Sequence, residues 1–288
     1  MLLEPPAGRH ALPAFDDGWL VSGQPVPFLS YADSGDVNWS DELESLHEEA
    51  SRTHFIDVWT RQTILARVGD LPPSAVVVDL GCSTGYLLED LRTAYPRATL
   101  IGVDLVAAGL RKAHASTPSA RLLQVDVCDL PLFDGSVDAV VSANLLEHVP
   151  DDRRALTEMR RVLRPGALVV IVVPAGPRTY DYYDRFLGHE RRYARHELSG
   201  KAVAVGLEIV EDRYIASLLY PPFWLVKQRN RLRYGHLEGE ALKQRVARDI
   251  AGTRDSRVGR LLRRVEERVG LQFPFGVRNL VVARRTPR

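Results

Sequence analysis

Runs of apolar residues alternate with stretches of helical spacing through the middle of the chain. The runs are rich in Val, Ile and Leu and lie at residues 75–80, 99–105, 121–127, 137–145 and 167–174. Near-continuous apolar runs are typical of parallel strands that are buried on both faces. The stretches of helical spacing lie at 85–95, around 106–115 and at 151–163. With two later strands at 206–217 and 276–285, the alternation predicts an α/β fold built on a doubly wound, seven-stranded, mostly parallel sheet.

The segments on either side of this region have different patterns. Residues 1–40 are rich in Pro, Gly, Asp and Ser, which interrupt regular structure, so they predict an irregular arm. From Ser40 to Gly69, apolar residues at helical spacing predict two helices. A long insertion, aromatic and basic at its start, precedes the last strand. We therefore divide the chain into an N-terminal arm with helices that cover the active site (1–70), a core (71–217 and 276–288) and a helical insertion or lid (218–275).

The composition, with 45% hydrophobic and 26% charged residues, is that of a soluble globular protein. No apolar run approaches the ~18 residues that span a membrane, and the N-terminus lacks the pattern of a signal peptide. Cys82 and Cys128 are the only cysteines. We therefore expect a cytoplasmic protein in which both thiols are free.

Charge is distributed unevenly along the chain, although the net charge is only +1. Residues 1–50 contain ten acidic side chains and one basic side chain, whereas residues 227–268 contain thirteen basic and six acidic side chains. A basic segment of this kind can contact nucleic acid, an anionic membrane or an acidic substrate. It can equally form a solvated helix face or pair with the acidic arm, and we favour these structural interpretations.

Glycine and acidic residues follow the first strands, at the edge where an open parallel sheet binds its ligands. The turn after the first strand supplies Asp79, Gly81, Cys82, Ser83 and Gly85. Its glycines allow the backbone to approach a ligand closely, and the helix N-terminus behind them favours negative charge. Asp104 ends the second strand, about 20 residues after the glycine turn, a spacing that suits hydrogen bonds to ribose hydroxyls. These features predict a nucleotide cofactor.

The same strand ends discriminate between two classes of cofactor. A dinucleotide site needs glycine in the middle of the turn to admit a pyrophosphate, and Ser83 occupies that position. Acidic residues at three strand ends, Asp79, Asp104 and Asp126, repel a pyrophosphate and attract a sulfonium cation. The sequence also lacks the Tyr-x-x-x-Lys pair of nicotinamide dehydrogenases. The residues therefore favour S-adenosylmethionine over NAD.

A set of motifs between about residues 75 and 175 is highly specific when taken together. The motifs are DLGCSTG, the Asp of the second strand, D-x-x-x-L-P-x-x-D-x-S-V-D, N-L-L-E-H-V and R-V-L-R-P-G. This set resembles the class I S-adenosylmethionine-dependent methyltransferases, which implies a Rossmann-like fold and S-adenosyl-L-methionine as cofactor. A G-H-x-R-R-Y segment after the fifth strand resembles one subgroup of small-molecule methyltransferases. Ser83 and Ala167 depart from the usual glycines, but neither departure removes a polar contact.

The resemblance implies a role for each matching residue. The methionine end of the cofactor is expected to contact Asp79, Gly81, Cys82 and Gly85, with Ser83 in the same turn. The ribose is expected to contact Asp104, and the adenine to contact Leu105, Asp126 and Val127. The methyl group is expected to lie near Asn144 and Leu145. Arg61, in the helix before the first strand, either pairs with the cofactor carboxylate or is an ordinary exposed arginine.

Two histidines are candidate general bases for methyl transfer, which is an in-line displacement at the sulfonium. His189 lies in a polar cluster after the fifth strand and is the first candidate. His148 follows the fourth strand beside Glu147, where its alternative role is to orient the loop. We predict no metal site, because Asn144 occupies the position at which metal-dependent relatives carry a first glutamate.

The substrate is expected to contact the polar cluster after the fifth strand and the insertion. The candidate substrate residues are Tyr182, Tyr183, Arg191, Arg192, Tyr193 and Trp224. The two arginines either clamp an anionic or hydroxyl-rich substrate or brace the loop through Asp181, Asp184 or the acidic arm. For the insertion we favour a lid, then a dimer contact, then a basic helix lying on an anionic membrane.

These observations predict an S-adenosylmethionine-dependent methyltransferase that acts on an O or N nucleophile of a small polar molecule, such as a secondary metabolite or sugar. The alternatives are a lipid-linked or nucleic-acid substrate reached through the basic insertion, and a non-catalytic cofactor-binding scaffold. Nucleic acid is disfavoured because the N/D-P-P-Y/F signature of base-methylating enzymes is absent after the fourth strand. We expect a monomer or homodimer without a transmembrane segment, for which peripheral membrane contact stays open.

Overall fold

Eight strands form the central sheet of the computed structural model, which describes residues 2–31, 52, 54–252, 257–269 and 272–287. From one edge to the other the strands are β10 (Leu207–Ile215), β11 (Arg278–Arg285), β9 (Leu163–Pro174), β8 (Val137–Ala143), β5 (Val76–Leu80), β6 (Thr99–Asp104), β7 (Arg121–Gln124) and β4 (Leu29–Ser30). The strand β11 runs antiparallel to both neighbours, and all other neighbouring pairs are parallel. The doubly wound α/β fold is confirmed, with β4 added to the seven predicted strands.

Helices cover both faces of the sheet and also lie over the carboxyl ends of its parallel strands. In chain order they are α1 (Phe55–Val68), α2 (Tyr86–Ala94), α3 (Ala107–Ser116), α4 (Asp152–Val162), α5 (Tyr182–Phe186), α6 (Glu197–Ala204), α7 (Tyr220–Tyr234), α8 (Gly239–Gly252) and α9 (Arg257–Val269). The helix α1 ends at the predicted stop, Gly69, whose φ of +69° is a left-handed conformation that glycine adopts readily. The earlier helix predicted from Ser40 lies outside the described residues.

The core lies on both faces of the parallel strands. In β5, Val78 and Leu80 belong to the apolar cluster on one face, whereas Val77 belongs to the cluster on the other face. All three side chains are fully buried. Burial on both faces explains why the strands read as continuous apolar runs, and it fixes the positions at which their carboxyl ends emerge.

The N-terminal arm contains more regular structure than its composition predicts. Three short strands, β1 (Ala14–Phe15), β2 (Trp19–Val21) and β3 (Gln24–Val26), form a small antiparallel sheet. The buried Trp19 joins this sheet to the core, where its indole Nε1 donates a hydrogen bond to the carbonyl oxygen of Leu122 at 3.1 Å. The expectation of an irregular arm is therefore corrected, because a buried aromatic residue outweighs the local Pro and Gly signals.

The insertion between β10 and β11 is helical. It contains α7, α8 and α9, which lie within residues 218–275. Among the described residues, no helix has the length and apolar character needed to cross a bilayer. Cys82 and Cys128 are free thiols, as expected.

Candidate active site

A cavity of about 1340 Å³ opens where the parallel strands end. Its floor consists of the turns after β5, β6, β7 and β8, and its walls come from α1, the segment after β9 and α7. Pockets for one small ligand usually measure about 300–1,000 Å³, so this cavity has room for two molecules side by side. None of residues 2–31 lines it, so the described part of the arm does not cover this site.

Most of the residues expected to bind a cofactor meet at this cavity. Those that line it are Arg61, Asp79, Gly81, Cys82, Ser83, Asp104, Leu105, Asp126, Val127, Asn144 and Leu145. Gly85 does not line it. Its φ is +88°, and a Cβ at this position would lie 2.8 Å from the Cβ of Ala113 on α3. Gly85 thus allows close packing between α2 and α3, and its expected contact with the cofactor stays a prediction.

The turn after β5 is held in place by Asp104. The backbone amide of Ser83 donates to Oδ2 of Asp104 at 2.9 Å, and the amide of Val106 donates to Oδ1 at 2.8 Å. Ser83 has a φ of +47°, a strained conformation for a residue other than glycine, so the turn is constrained at the cavity. Asp104 thus presents a carboxylate at the cavity, a group that suits hydrogen bonds from ligand hydroxyls.

Asp79 brings a buried carboxyl group to the floor of the cavity. Its side chain is 1% exposed, and its Oδ2 accepts no hydrogen bond from the described residues. Burial, and to a smaller extent the charge of Asp104, raises the pKa of Asp79 to about 8. A cationic ligand group placed here would satisfy the carboxylate and lower its pKa again.

A chain of polar contacts connects three elements around the middle of the cavity. Asn144, at the end of β8, has a φ of +53°, and its Oδ1 accepts a hydrogen bond from the guanidinium of Arg278. The same guanidinium donates to Oδ1 of Asp57 on α1 at 3.3 Å. Sequence reasoning missed Asp57 and Arg278, which also line the cavity, because they are more than 200 positions apart and belong to no local motif.

His189 is oriented by a buried carboxylate. Its Nδ1 lies 2.8 Å from Oδ1 of Asp184, which also accepts a hydrogen bond from Nε of Arg192 at 2.6 Å. The Nζ of Lys227 lies 3.6 Å from the other carboxylate oxygen. Burial alone would raise the pKa of Asp184, but His189, Arg192 and Lys227 together hold this pKa well below its usual range. Asp184 is therefore an anion, and a neutral His189 carries its proton on Nδ1 and leaves Nε2 as an acceptor.

Glu147, His148 and His189 lie together at the centre of the cavity wall. The rings of the two histidines meet edge to face with centroids 4.6 Å apart. Glu147 is fully buried, and neither of its carboxylate oxygens accepts a hydrogen bond from the described residues. Burial raises the pKa of this carboxyl, although the charge of His189 opposes the change. Glu147 therefore brings an unsatisfied carboxyl group to the two histidines.

These three side chains also form the group that could hold a metal ion within the described ranges. One donor atom from each lies within 4.8 Å of the others, and such donors suit zinc and similar divalent ions. Asn144, at the position of the absent glutamate, instead contacts Arg278. The prediction of no metal dependence stays a prediction.

The expected substrate residues divide between the cavity and the loop that supports it. Tyr182, Tyr183 and Arg192 line the cavity. Arg191 does not, because its guanidinium donates to the carbonyl oxygen of Val149 at 2.8 Å and pairs with Asp152 at 3.1 Å. Both arginines therefore brace the loop: Arg192 pairs with Asp184, one of the expected partners, at 2.6 Å, whereas Arg191 uses Val149 and Asp152.

Tyr193 and Trp224 also lie outside the cavity lining. Tyr193 is fully buried, and its hydroxyl donates to Oδ2 of Asp152 at 2.8 Å. Trp224 lies on the outer side of α7 and is 38% exposed. The structure therefore does not bring Tyr193 and Trp224 to the cavity, and their expected contacts with a substrate stay predictions.

Lys227 is a cavity residue that sequence reasoning missed. It is buried on the inner face of α7, and its Nζ contacts Oδ1 of Asp181 at 2.7 Å. Burial and the charge of Arg192 lower the pKa of Lys227, an effect that Asp184 and Asp181 oppose. The only signal in the sequence is that Lys227 is one of four lysines among 38 basic residues. This ion pair fixes α7 as a wall of the cavity.

Comparison with known proteins gives a family for the central part of the chain. Residues 78–171 match the family described as "Methyltransferase domain". A trans-aconitate 2-methyltransferase of Deinococcus radiodurans is 41% identical over 36% of this chain and 39% of its own length. A demethylmenaquinone methyltransferase of Thermus thermophilus is 34% identical over 42% of this chain and 56% of its own length. The chain thus spans about half the length of these curated relatives.

Solved structures share the fold over most of the chain. The phosphoethanolamine N-methyltransferase 2 of Haemonchus contortus, in complex with S-adenosyl-L-methionine, has a TM-score of 0.60 at 15% identity. The match covers 87% of this chain and 58% of that one. A complex between the Haloferax volcanii Trm112 methyltransferase activator and a methyltransferase also gives a TM-score of 0.60, at 22% identity, covering 86% of this chain and 96% of that one. At these identities the likeness concerns the fold.

Proposed function

Because this chain carries a class I S-adenosylmethionine-dependent methyltransferase domain, we propose that it transfers the methyl group of this cofactor to an oxygen or nitrogen nucleophile of a small polar molecule. A secondary metabolite or a sugar is the acceptor class that we favour. One observation carries the proposal: the acidic strand ends and the histidine pair line the same cavity. A donor and an acceptor held there would be neighbours.

The residues at the floor of the cavity fit the cofactor. The unsatisfied carboxyl of Asp79 suits a cationic amino group, and Asp104 suits the ribose hydroxyls. A Cβ on Gly81 would approach the Cβ of Leu145 to 3.0 Å, so glycine allows Leu145 to pack closely against the turn. When bound, S-adenosylmethionine supplies an electrophilic methyl group, and the protein has only to align the nucleophile with it.

The opposite wall supplies the acid–base chemistry. In the neutral tautomer that Asp184 favours, Nε2 of His189 can accept the proton of a hydroxyl nucleophile. The tyrosines Tyr182 and Tyr183 would position the acceptor. Phe223 and Val226 of α7 cover this wall with apolar surface, which limits the access of water.

The direct test is the formation of S-adenosylhomocysteine by the purified protein in the presence of small hydroxyl and amine compounds. We expect turnover with a subset of polar acceptors and none without an acceptor. If calorimetry detected no binding of S-adenosylmethionine or S-adenosylhomocysteine, the proposal would fail at its first step. If the cofactor bound but no acceptor from a broad panel turned over, the chain would instead be a cofactor-binding scaffold.

The substitution Asp104→Ala should weaken cofactor binding at least about tenfold. Each lost hydrogen bond to a charged acceptor contributes about 1.5–3 kcal/mol, and the Ser83 amide also loses its partner. Calorimetric titration with S-adenosylhomocysteine measures the effect. Asp138→Ala is the matched control, because Asp138 accepts a hydrogen bond from the amide of Val76 at 2.8 Å outside the cavity lining. Equal affinities for wild type and Asp104→Ala would remove the ribose assignment.

The buried carboxyl of Asp79 should make cofactor affinity depend on pH. The pKa of Asp79 is about 8 before binding, so at neutral pH this carboxyl must lose its proton before it can pair with a cationic amino group. Affinity should therefore rise with pH from 6 to 8, by at most about tenfold per unit, and stop rising above about pH 8, where the amino group of the ligand loses its own proton. Calorimetry at pH 6, 7 and 8 checks this, with Asp79→Asn as the variant that should lose the dependence. A flat profile for the wild type would show that Asp79 is already ionised or does not meet the cation.

A further inference from the structure

The outer face of α7 is apolar and exposed to solvent. Leu225 is 62% exposed, Leu232 is 87% exposed and Trp224 is 38% exposed. Leu225 and Leu232 are two helical turns apart and share one side of the helix, with Trp224 next to them. We call these three side chains the outer apolar face. Solvent-exposed apolar residues that cluster on one helix are a mark of an interaction surface.

The opposite face of α7 already has its partners within the fold. Lys227 pairs with Asp181 at 2.7 Å, and Asn230 donates to the same carboxylate at 3.5 Å. The ring of Tyr234 meets that of Tyr182 edge to face, with centroids 5.5 Å apart. These contacts fix the rotation of the helix. The outer apolar face is therefore turned away from the core by a set of specific contacts.

Positive charge surrounds the outer apolar face. Residues 218–237 contain four basic side chains and no acidic one. One of the four, Lys227, is buried, whereas Arg229, Arg231 and Arg233 are exposed. The surface thus combines leucine and tryptophan side chains with exposed arginines, of which Arg231 also donates to the carbonyl oxygen of Arg178 at 3.1 Å. The helix α7 itself carries no acidic residue, and Glu238 and Glu240 follow its C-terminal end.

This combination selects among three kinds of occupant. In a two-fold dimer the same face would meet itself, which would place the arginines of the two copies opposite each other. A nucleic acid would pair with the arginines but leave the leucines exposed to water. An anionic bilayer satisfies both components, because leucines enter the interface, tryptophan prefers its boundary and arginines contact the lipid headgroups.

We propose that the outer apolar face of α7 docks this protein onto the surface of an anionic lipid bilayer. Val226 and Arg229 belong to the cavity lining and are also exposed on α7, so docking places the edge of the cavity at the bilayer. The proposal concerns an interaction of the whole chain and goes beyond methyl transfer to a small molecule. Its test needs neither cofactor nor acceptor.

The experiment is co-sedimentation of the full chain with vesicles of phosphatidylcholine alone and of an equal mixture of phosphatidylcholine and phosphatidylserine. We expect binding to the mixed vesicles, weaker binding at high salt and little binding to phosphatidylcholine alone. The double variant Leu225→Ser with Leu232→Ser should lower the partition coefficient at least about tenfold, because the apolar area buried in the interface is lost. The variant Arg229→Gln with Arg233→Gln should reduce binding to the mixed vesicles by a similar factor.

Val203→Ser is the matched control for the leucine changes. Val203 is 56% exposed on α6, outside the insertion, and its replacement should leave vesicle binding unchanged. Circular dichroism shows whether each variant is folded. The proposal is overturned if the wild type does not bind mixed vesicles, or if binding survives the double leucine change. It is also overturned if light scattering shows a wild-type dimer that the leucine changes convert to a monomer, since the face would then be a contact between copies.

Discussion

Replacement of Asp184 by alanine should destabilise the protein by about 3–5 kcal/mol, because the buried guanidinium of Arg192 loses its anion and the buried Lys227 keeps only Asp181. Arg192 and Lys227 are 7% and 9% exposed in their side chains, and the Asp184 side chain is not exposed at all. Water cannot replace the lost carboxylate at such depth. Urea unfolding at pH 7, analysed for the free energy of unfolding, measures the effect.

The chain offers a matched control for this substitution. Asp212 contacts Nδ1 of His196 at 2.8 Å, the same distance as in the Asp184–His189 pair, but His196 is 60% exposed. Asp212→Ala should cost clearly less than Asp184→Ala, because the exposed imidazole of His196 stays solvated when Asp212, itself 12% exposed, is removed. Equal losses for the two variants would mean that Asp184 does not compensate buried charge.

The contribution of Asp184 to the free energy of unfolding should also depend on pH. The folded-state pKa of Asp184 lies below its unfolded value of about 3.9, so its contribution to stability is present above that value and is lost as the pH falls further. The difference in stability between wild type and Asp184→Ala should therefore be constant from pH 7 to about pH 5 and narrow below about pH 4. A difference that instead narrowed between pH 7 and pH 5 would identify another group as its source.

Replacement of His189 by alanine should lower kcat about 100- to 10,000-fold for a hydroxyl acceptor, the usual contribution of a general base. A neutral amine loses its proton after the methyl group has been transferred, so its kcat should change far less. KM should change little in both cases if His189 acts on the proton rather than on binding. Initial rates of S-adenosylhomocysteine formation, measured with one acceptor of each kind, separate these outcomes.

His196→Ala serves as the control for His189→Ala. His196 also contacts an aspartate, but it lies outside the cavity lining and should leave kcat unchanged. Equal losses of kcat for hydroxyl and amine acceptors in His189→Ala would assign the histidine to positioning. If His148→Ala alone abolished the hydroxyl reaction, the base would be His148.

The cofactor half of the site was predictable from sequence because local chain geometry determines it. A strand, a glycine turn and a helix place Asp79, Gly81 and Ser83 at one strand end, and the next strand brings Asp104 beside them. Register between parallel strands follows from their burial, so a residue at the end of one strand has known neighbours. The packing of Gly85 against Ala113 was not predictable, because a left-handed glycine near a ligand and one that admits a neighbouring helix look alike in sequence.

The acceptor half was predictable only in part, because contacts between distant segments determine it. Lys227 pairs with Asp181, which lies 46 residues earlier in the chain, and the guanidinium of Arg278 connects Asp57 with Asn144. The local composition around Tyr182 showed where a polar cluster lies. It could not show that Arg191 turns to the backbone of the preceding loop while Arg192 turns into the cavity.

The two ends of the insertion lie side by side in the sheet. Ile215 at the end of β10 is the pairing partner of Arg278 at the start of β11, and the amide of Val277 donates to the carbonyl oxygen of Ile215 at 3.1 Å. Since the closure entropy of a loop grows only slowly with its length, about 0.6 kcal/mol per doubling, the two strands tolerate connections of very different size. The insertion, with the cavity wall that α7 supplies, can therefore change in length while the donor-facing turns stay the same, and the acceptor-side residues Tyr182 and His189 are retained because they precede it in the chain.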